Sequence, residues 1–317
     1  MNALAVDEAC ALLKKYKGKA VLNGGGTDLL SILKDEILLD YPEVVINIKT
    51  ISDLDYIKEE SGALKIGALA KLSDIEKSPL VKDHYGVLAE AAHFVATPQV
   101  RNTATLGGNL CQDVRCWYYR YPRMIGGPLR CLRKGNGPCL AVPGDNRYHA
   151  IMEGKKCFAV CPSDMAVALA ALNSQVKIAG PKGERSMAVT DFFSPLGNAL
   201  KRDEMVTEVE VPKINGPMKQ TFLKFTLRKS VDFAIVSVAS VVSVKEGVCE
   251  DARLALGGVA PKPIRGRNAE EAMKGRPIDV ETAVEAAEQA MAGARPLSMN
   301  SYKVEVAKAL IKRAVLS

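Results

Sequence analysis

The chain has 317 residues, 48% of them hydrophobic and 25% charged, with a formal net charge of +7. That length exceeds what one core ordinarily fills, so two or three sub-domains are expected; the composition excludes a disordered chain, and no apolar run approaches the ~18 residues of a membrane span. The opening stretch MNALAVDEACALLKKYKGK lacks the basic, apolar and small-residue segments of a secretory leader, so it reads as a first helix, with cytoplasmic residence as the default expectation.

Residues 6–17 repeat apolar groups at helical spacing, with Cys10 on the apolar face beside Ala9 and Leu13 as a small core residue. KAVLN (19–23) reads as a buried strand ending at a glycine run, EVVINI and LKIGAL as further strands, and LSDIEKS and GVLAEAAHFV as helices. MAVALAALNSQVKIAG is helix then strand, and EMVTEVEVP alternates as a half-buried strand ending at Pro212. After the polar connection KINGPMK the pattern changes. TFLKFTL, AIVSVASVVSV and ARLALGGV are successive strands, and two helices follow. The last starts near Asn300, with Asn or Ser available as N-cap and an apolar stripe at Val304, Ala307, Ile311, Ala314 and Val315. The expected division is residues 1–212, then an α+β domain over 213–317.

Two glycine loops carry the first chemical signal. In VLNGGGTDLL (21–30) a strand runs into three glycines, and backbone N–H groups in such a turn can converge on a phosphate with no Cβ in the way. Gly24, Gly25 and Gly26 are contiguous, so this is not the dinucleotide fingerprint of spaced glycines. In TPQVRNTATLGGNLCQ (97–112) two glycines, several hydroxyls and Asn109 share one loop. Two such loops can clamp opposite ends of a dinucleotide.

These motifs resemble the FAD-binding subunit of the molybdenum hydroxylases, the xanthine dehydrogenase family. The first is similar to the family's A-G-G-T-D-L pyrophosphate loop, with Asn23 in place of the usual Ala. The second is similar to R-N-x-A-T-x-G-G-N, matched at Arg101, Asn102, Ala104, Thr105, Gly107, Gly108 and Asn109. CPSDMAVALAALNSQVKI resembles the S-D-L helix, and FLKFTLRKSVDFAIVSVA the K-x-x-x-R segment; LALGGVAPKPIRGRNAE and PLSMNSYK follow in family order. The resemblance implies an α+β fold: an FAD-binding domain of two α/β sub-domains, then a smaller domain with an antiparallel sheet and helices. It also implies FAD contacts at Leu22, Asn23, Gly24, Gly25, Gly26, Thr27, Asp28, Leu29, Thr97, Arg101, Thr105, Gly107, Gly108 and Asn109, with Asp164 facing the ribityl or flavin and Lys224 and Arg228 near the cofactor.

Six of the eight cysteines lie between Cys111 and Cys161, and residues 112–157 hold six Arg and three Lys against Asp113, Asp145 and Glu153. Clustered thiols in a reducing compartment are more often ligands or catalytic groups than disulfides. The spacing from Cys116 is C-x14-C-x7-C-x17-C, without the paired knuckles of a zinc ribbon; iron–sulfur clusters tolerate wider spacing. In most of the family the G-G-N loop leads almost directly to the S-D-L helix. The insert here, about 112–160, resembles that of two subgroups, the 4-hydroxybenzoyl-CoA reductase β subunit and the aldehyde oxidoreductases whose FAD subunit holds an additional [4Fe–4S] cluster. That resemblance implies Cys116, Cys131, Cys139 and Cys157 as ligands, with Cys161 near the FAD or a spare ligand and Cys111 packed beside the flavin loop. Four thiolates around a [4Fe–4S]²⁺ core sum to −2, which the local basic excess offsets.

The function implied is an electron-transfer subunit, an oxidoreductase component with FAD and one [4Fe–4S] cluster. Its expected partners are a molybdopterin-binding large subunit, a [2Fe–2S] small subunit and an external electron carrier, in a dimer of heterotrimers. His84, His93 and His149 form no triad or metal set with the cysteines, so no catalytic residue is assigned. The rival reading is a nucleic-acid-binding module using the basic segment with Trp117, Tyr118, Tyr119, Tyr121 and Tyr148.

Overall fold

A computed structural model describes residues 1–228 and 231–317. The first unit is small: α1 (Val6–Lys15) and α2 (Leu29–Lys34) accompany β1 (Ala20–Asn23) and β2 (Val44–Asn47), which pair in parallel with Ala20 opposite Val44. Ala9, Cys10 and Leu13 of α1 are buried with Ile46 and Ile48, the core role expected of Cys10. The parallel pair ends at Asn23, where the glycine turn begins.

The second unit starts with β3 (Ile57–Glu60) and β4 (Ala63–Gly67), then α3 (Leu72–Lys77), α4 (Pro79–His84), α5 (Gly86–His93), α6 (Pro98–Arg101) and α7 (Leu106–Cys111). After the cysteine insert come α8 (Asp164–Ala171), β5 (Gln175–Gly180), β6 (Gly183–Ala188), α9 (Val189–Phe192), the ribbon β7 (Phe193–Ser194) and β8 (Gly197–Asn198), and β9 (Met205–Pro212). Strands β3-β4-β9-β5-β6 form one antiparallel sheet in that order, covered by α5 and α8. Every residue of α8 is buried; after Asp164, which Lys224 pairs, its sequence is alanine-rich and apolar throughout.

The third unit is an antiparallel sheet of β10 (Lys219–Phe225), β11 (Val236–Lys245), β12 (Val248–Gly257) and β13 (Ile264–Arg265). Alternation along β11 divides its side chains between two cores. Ala239 and Val241 join the α5/α8 core, while Val236, Val238 and Val242 face α10 (Arg267–Met273), α11 (Val280–Met291) and α12 (Tyr302–Leu316). The sheet is therefore buried on both faces. Three helices follow the strands, not two, because the short α10 lies in a stretch that sequence patterning leaves irregular. Neither Asn300 nor Ser301 caps α12: Asn300 Oδ1 accepts from the Leu297 N–H, and its amide donates to the carbonyls of His149 and Ala150. Among the described residues no helix is long and apolar enough to cross a membrane.

Residues 112–160 contain two 3-10 turns, Arg123–Ile125 and Leu132–Lys134, in an otherwise irregular path. A small core of Val114, Tyr119, Cys131, Cys157 and Ala159 packs this insert on Ile32 of α2 and Ile37. The segment 145–150 is held from behind by Asn300 and Lys303. The latter is fully buried and donates to the carbonyls of Tyr148 (3.4 Å), His149 (3.0 Å) and Gly258.

One ion pair sets an acid limb for stability. Arg185 on β6 forks onto both carboxylate oxygens of Glu204 (3.1 and 2.7 Å), which lowers the Glu204 pKa to about 2. A carboxylate depressed below its unfolded value contributes stability that is complete above the unfolded pKa and is lost as pH falls through the folded one. Glu204→Gln should therefore destabilise the chain by about 2 kcal/mol at pH 6, a difference that shrinks between pH 4.5 and 2 in denaturant melts.

Candidate functional site

A cavity of about 830 Å³ opens where the two glycine loops meet. Its wall includes Leu22 to Leu29 without a gap, Thr105, Gly107, Gly108 and Asn109, then Asp164 and Lys224. The loops touch each other. A Cβ on Gly25 would overlap the Thr103 carbonyl and the Ala104 Cα, so this glycine allows backbone to pass backbone, while Gly26 turns the chain at φ +74°. Among the described residues the N–H groups of Gly25 to Asp28 donate to no protein acceptor, and all four residues line the cavity. Asn23 Oδ1 is likewise buried without a partner.

The second loop differs from expectation. Leu106 N–H donates to Ala70 O (2.9 Å), Gly107 N–H to Ala68 O (2.8 Å), Gly108 N–H to Thr105 Oγ1 (3.2 Å) and Asn109 N–H to Thr105 O (2.8 Å). These amides are committed to anchoring α7, so the free backbone donors belong to the first loop. Thr97 and Arg101, expected as FAD contacts, are not among the residues of the cavity wall. Thr97 caps α6 through the Val100 N–H, and Arg101 is buried against Glu76 (2.7 Å) and the carbonyls of Val95 and Ala96. Arg228 also lies outside the wall, exposed and paired with Asp232 at 2.6 Å.

At the opposite wall Asp164 opens α8 beside its N-cap Ser163, whose hydroxyl accepts the Ala166 N–H and donates to Asn109 Oδ1 at 2.5 Å. The helix and the second glycine loop are thereby joined. Lys224 Nζ donates to Asp164 Oδ2 (2.7 Å) and Phe94 O (2.8 Å), and both members of the pair are buried. Burial pushes the Asp164 carboxyl up, and Lys224 opposes the shift.

Two site residues were missed by sequence reasoning: Arg115 and Arg120 of the insert reach Asp28 at 2.9 and 2.6 Å and line the same cavity. Their only sequence signal was the local basic excess, since Asp28 lies far back in the chain. Arg115 also stacks on Phe233, with its guanidinium carbon 4.4 Å from the ring centroid.

Beside this cavity is a smaller one. Cys116, Cys131, Cys139 and Cys157 line it together with His149, Tyr118, Tyr119 and Arg133; all four thiols are free. Cys111 and Cys161 line the larger cavity instead. Burial pushes Cys116 up to about 11 and Cys161 up to about 12. Tyr119 and Arg133 belong to both linings and form the wall between the cavities. Among the described residues no three Cys, His, Asp or Glu side chains are grouped to hold a single metal ion. Several aromatic residues of the insert pack on one another: Trp117 lies edge-on against Tyr118, Tyr148 and His149 and donates to Asp145 O, and Tyr119 is buried. That packing gives no support to a stacking platform for nucleic acid.

Comparison with known proteins gives a consistent picture. Residues 1–214 match the family described as the FAD binding domain in molybdopterin dehydrogenase, and residues 221–317 the CO dehydrogenase flavoprotein C-terminal domain. The aldehyde oxidoreductase FAD-binding subunit PaoB of Escherichia coli is 35% identical over 293 residues, 90% of this chain and 86% of that protein. The nicotinate dehydrogenase FAD-subunit of Eubacterium barkeri is 30% identical over 87% of this chain and 79% of its own length. Among solved structures, the carbon monoxide dehydrogenase of Hydrogenophaga pseudoflava superposes with a TM-score of 0.79 at 27% identity, covering 99% of this chain and 94% of the matched one.

The buried pair offers a direct test of the cavity wall. Lys224→Met leaves the Asp164 carboxylate desolvated and unpaired, and should cost about 3 kcal/mol in chemical denaturation; adding Asp164→Asn should recover part of that loss.

Proposed function

Because the chain belongs to the molybdopterin dehydrogenase family as an FAD-binding medium subunit, and so is part of an oxidoreductase, we propose that it is the electron-transfer subunit of a molybdenum hydroxylase complex with two redox groups of its own. FAD occupies the larger cavity, and a [4Fe–4S] cluster is held by Cys116, Cys131, Cys139 and Cys157 in the smaller one. The observation that carries the second assignment is the sorting of six neighbouring cysteines: four share one cavity, and two face the other. Four thiols without a fifth competitor match the ligand number of such a cluster, whose size spreads its ligands more widely than a single ion would.

Bound in these cavities, the flavin supplies two-electron exchange with one partner and one-electron exchange with iron–sulfur centres, and the cluster supplies one-electron steps. The chain's own residues fix position and charge. The free N–H groups of Gly25 to Asp28 suit a pyrophosphate. Lys224, held by Asp164 and Phe94 O, places a cation at the opposite wall without freedom to swing. Arg133 lies beside the thiols and offsets the negative charge that four thiolates bring. The partners are a molybdopterin-binding large subunit and a [2Fe–2S] small subunit, arranged as a dimer of heterotrimers, with an external carrier as the second redox partner.

Metal analysis of cysteine variants tests the assignment. Cys131→Ser and Cys157→Ser should lose most of the bound iron and the broad visible absorption beneath the flavin bands, whereas Cys111→Ser and Cys161→Ser should keep both. Iron loss in Cys161→Ser with retention in Cys157→Ser would move the ligand set by one turn. Gly25→Ala should lose flavin and lower the melting temperature together, because it parts the two loops.

A further inference from the structure

We propose that His149 donates a hydrogen bond from Nε2 to the sulfur of Cys116 and thereby raises the reduction potential of the [4Fe–4S] cluster; the inference rests on the cluster reading above. Nε2 lies 3.2 Å from Cys116 Sγ, within the smaller cavity. A cysteine bound to iron is a thiolate and has only lone pairs to offer, so the proton of this contact belongs to the imidazole. The other ring nitrogen, Nδ1, is buried and has no partner among the described residues. Among them the sulfur is therefore the one acceptor the ring meets, and it selects the tautomer.

The ring is held from all sides. Trp117 packs at 6.1 Å and Tyr118 at 6.2 Å between ring centroids. The His149 N–H donates to Asn146 O (2.9 Å), and the His149 carbonyl accepts from Asn300 Nδ2 (3.1 Å) and Lys303 Nζ (3.0 Å). Asn146 in turn is fixed by Ala141 O, Ser298 Oγ and the Met299 N–H. The stretch SMNSYK, which has no part in the flavin cavity, thus supplies the scaffold that aims this histidine.

The effect has a sign. A [4Fe–4S]²⁺ core with four thiolates carries −2, and accepting one electron takes it to −3 with no bond made or broken. An N–H donor on a ligand sulfur stabilises the more negative state more, so it favours reduction. Removing it disfavours reduction.

The test uses the full chain isolated with its cofactors, comparing wild type, His149→Phe and His149→Gln by iron and flavin content and by redox titration of both centres, with the cluster followed by its paramagnetic reduced signal. His149→Phe should keep its iron and reduce about tenfold less favourably, a downward shift of about 59 mV for a one-electron couple. His149→Gln, which keeps an N–H donor, should return toward wild type, and the flavin potential should not move. Unchanged cluster potential in iron-replete His149→Phe overturns the inference and leaves the cluster standing. A fall of equal size in both variants overturns it in favour of lost packing, and loss of iron from both overturns it in favour of a ligand or scaffold. Wild-type protein without iron would sink the cluster reading itself, and this inference with it.

Discussion

The carboxylate of Asp28 governs how the insert lies against the glycine turn. It belongs to the last residue of the run with free N–H groups, is largely withdrawn from solvent, and accepts from Arg115, Arg120 and the Asp113 N–H (2.7 Å). A buried carboxylate is tolerated only when paired and hydrogen-bonded, and here every partner comes from the insert. The turn that faces the larger cavity and the loop that carries the thiols therefore take their positions from one another. Asp28 does not cap α2, although it stands at that helix's N-cap position; its oxygens are engaged elsewhere.

From this anchor a chain of charge leads to the thiols. Asp113 accepts from Arg133 at 2.9 Å and from the Tyr119 hydroxyl, and those two side chains make the partition between the cavities. Burial is the largest influence on Arg133 and opposes its charge, but Asp113, Tyr119 and Cys157 together more than offset it and push the guanidinium pKa up. The partition is polar, with Arg133 and Tyr119 both tied to Asp113 and both bordering the cavity that the four thiols line.

Much of this was legible in the sequence, and the exceptions share a cause. Strands such as AIVSVASVVSV and the helices α1, α8 and α12 follow from local apolar patterning, and the glycine motifs mark the larger cavity through Leu22 to Leu29, Thr105 and Gly107 to Asn109. Position was harder than type. Thr97 and Arg101 belong to a matched motif yet serve α6 and Glu76, because a motif records that residues recur together without saying which of them touch a ligand. The bonds of Arg115 and Arg120 to Asp28, of Lys303 to Tyr148 and His149, and of His149 to Cys116 join residues far apart in the chain. No local pattern encodes them. The short α10 escaped because a single turn or two of polar helix has no amphipathic stripe to read.

Those long-range bonds also impose an order of assembly. Asn300 meets the His149 carbonyl across 151 positions, and Lys303 meets that of Tyr148 across 155. A ribosome releases residues 116–157 well before either of these side chains exists, so the rear support of the thiol pocket is the last part to arrive. Without Asn300 and Lys303 the carbonyls of Tyr148, His149 and Ala150 lose these side-chain donors. Any truncation ahead of Asn300 would remove that backing.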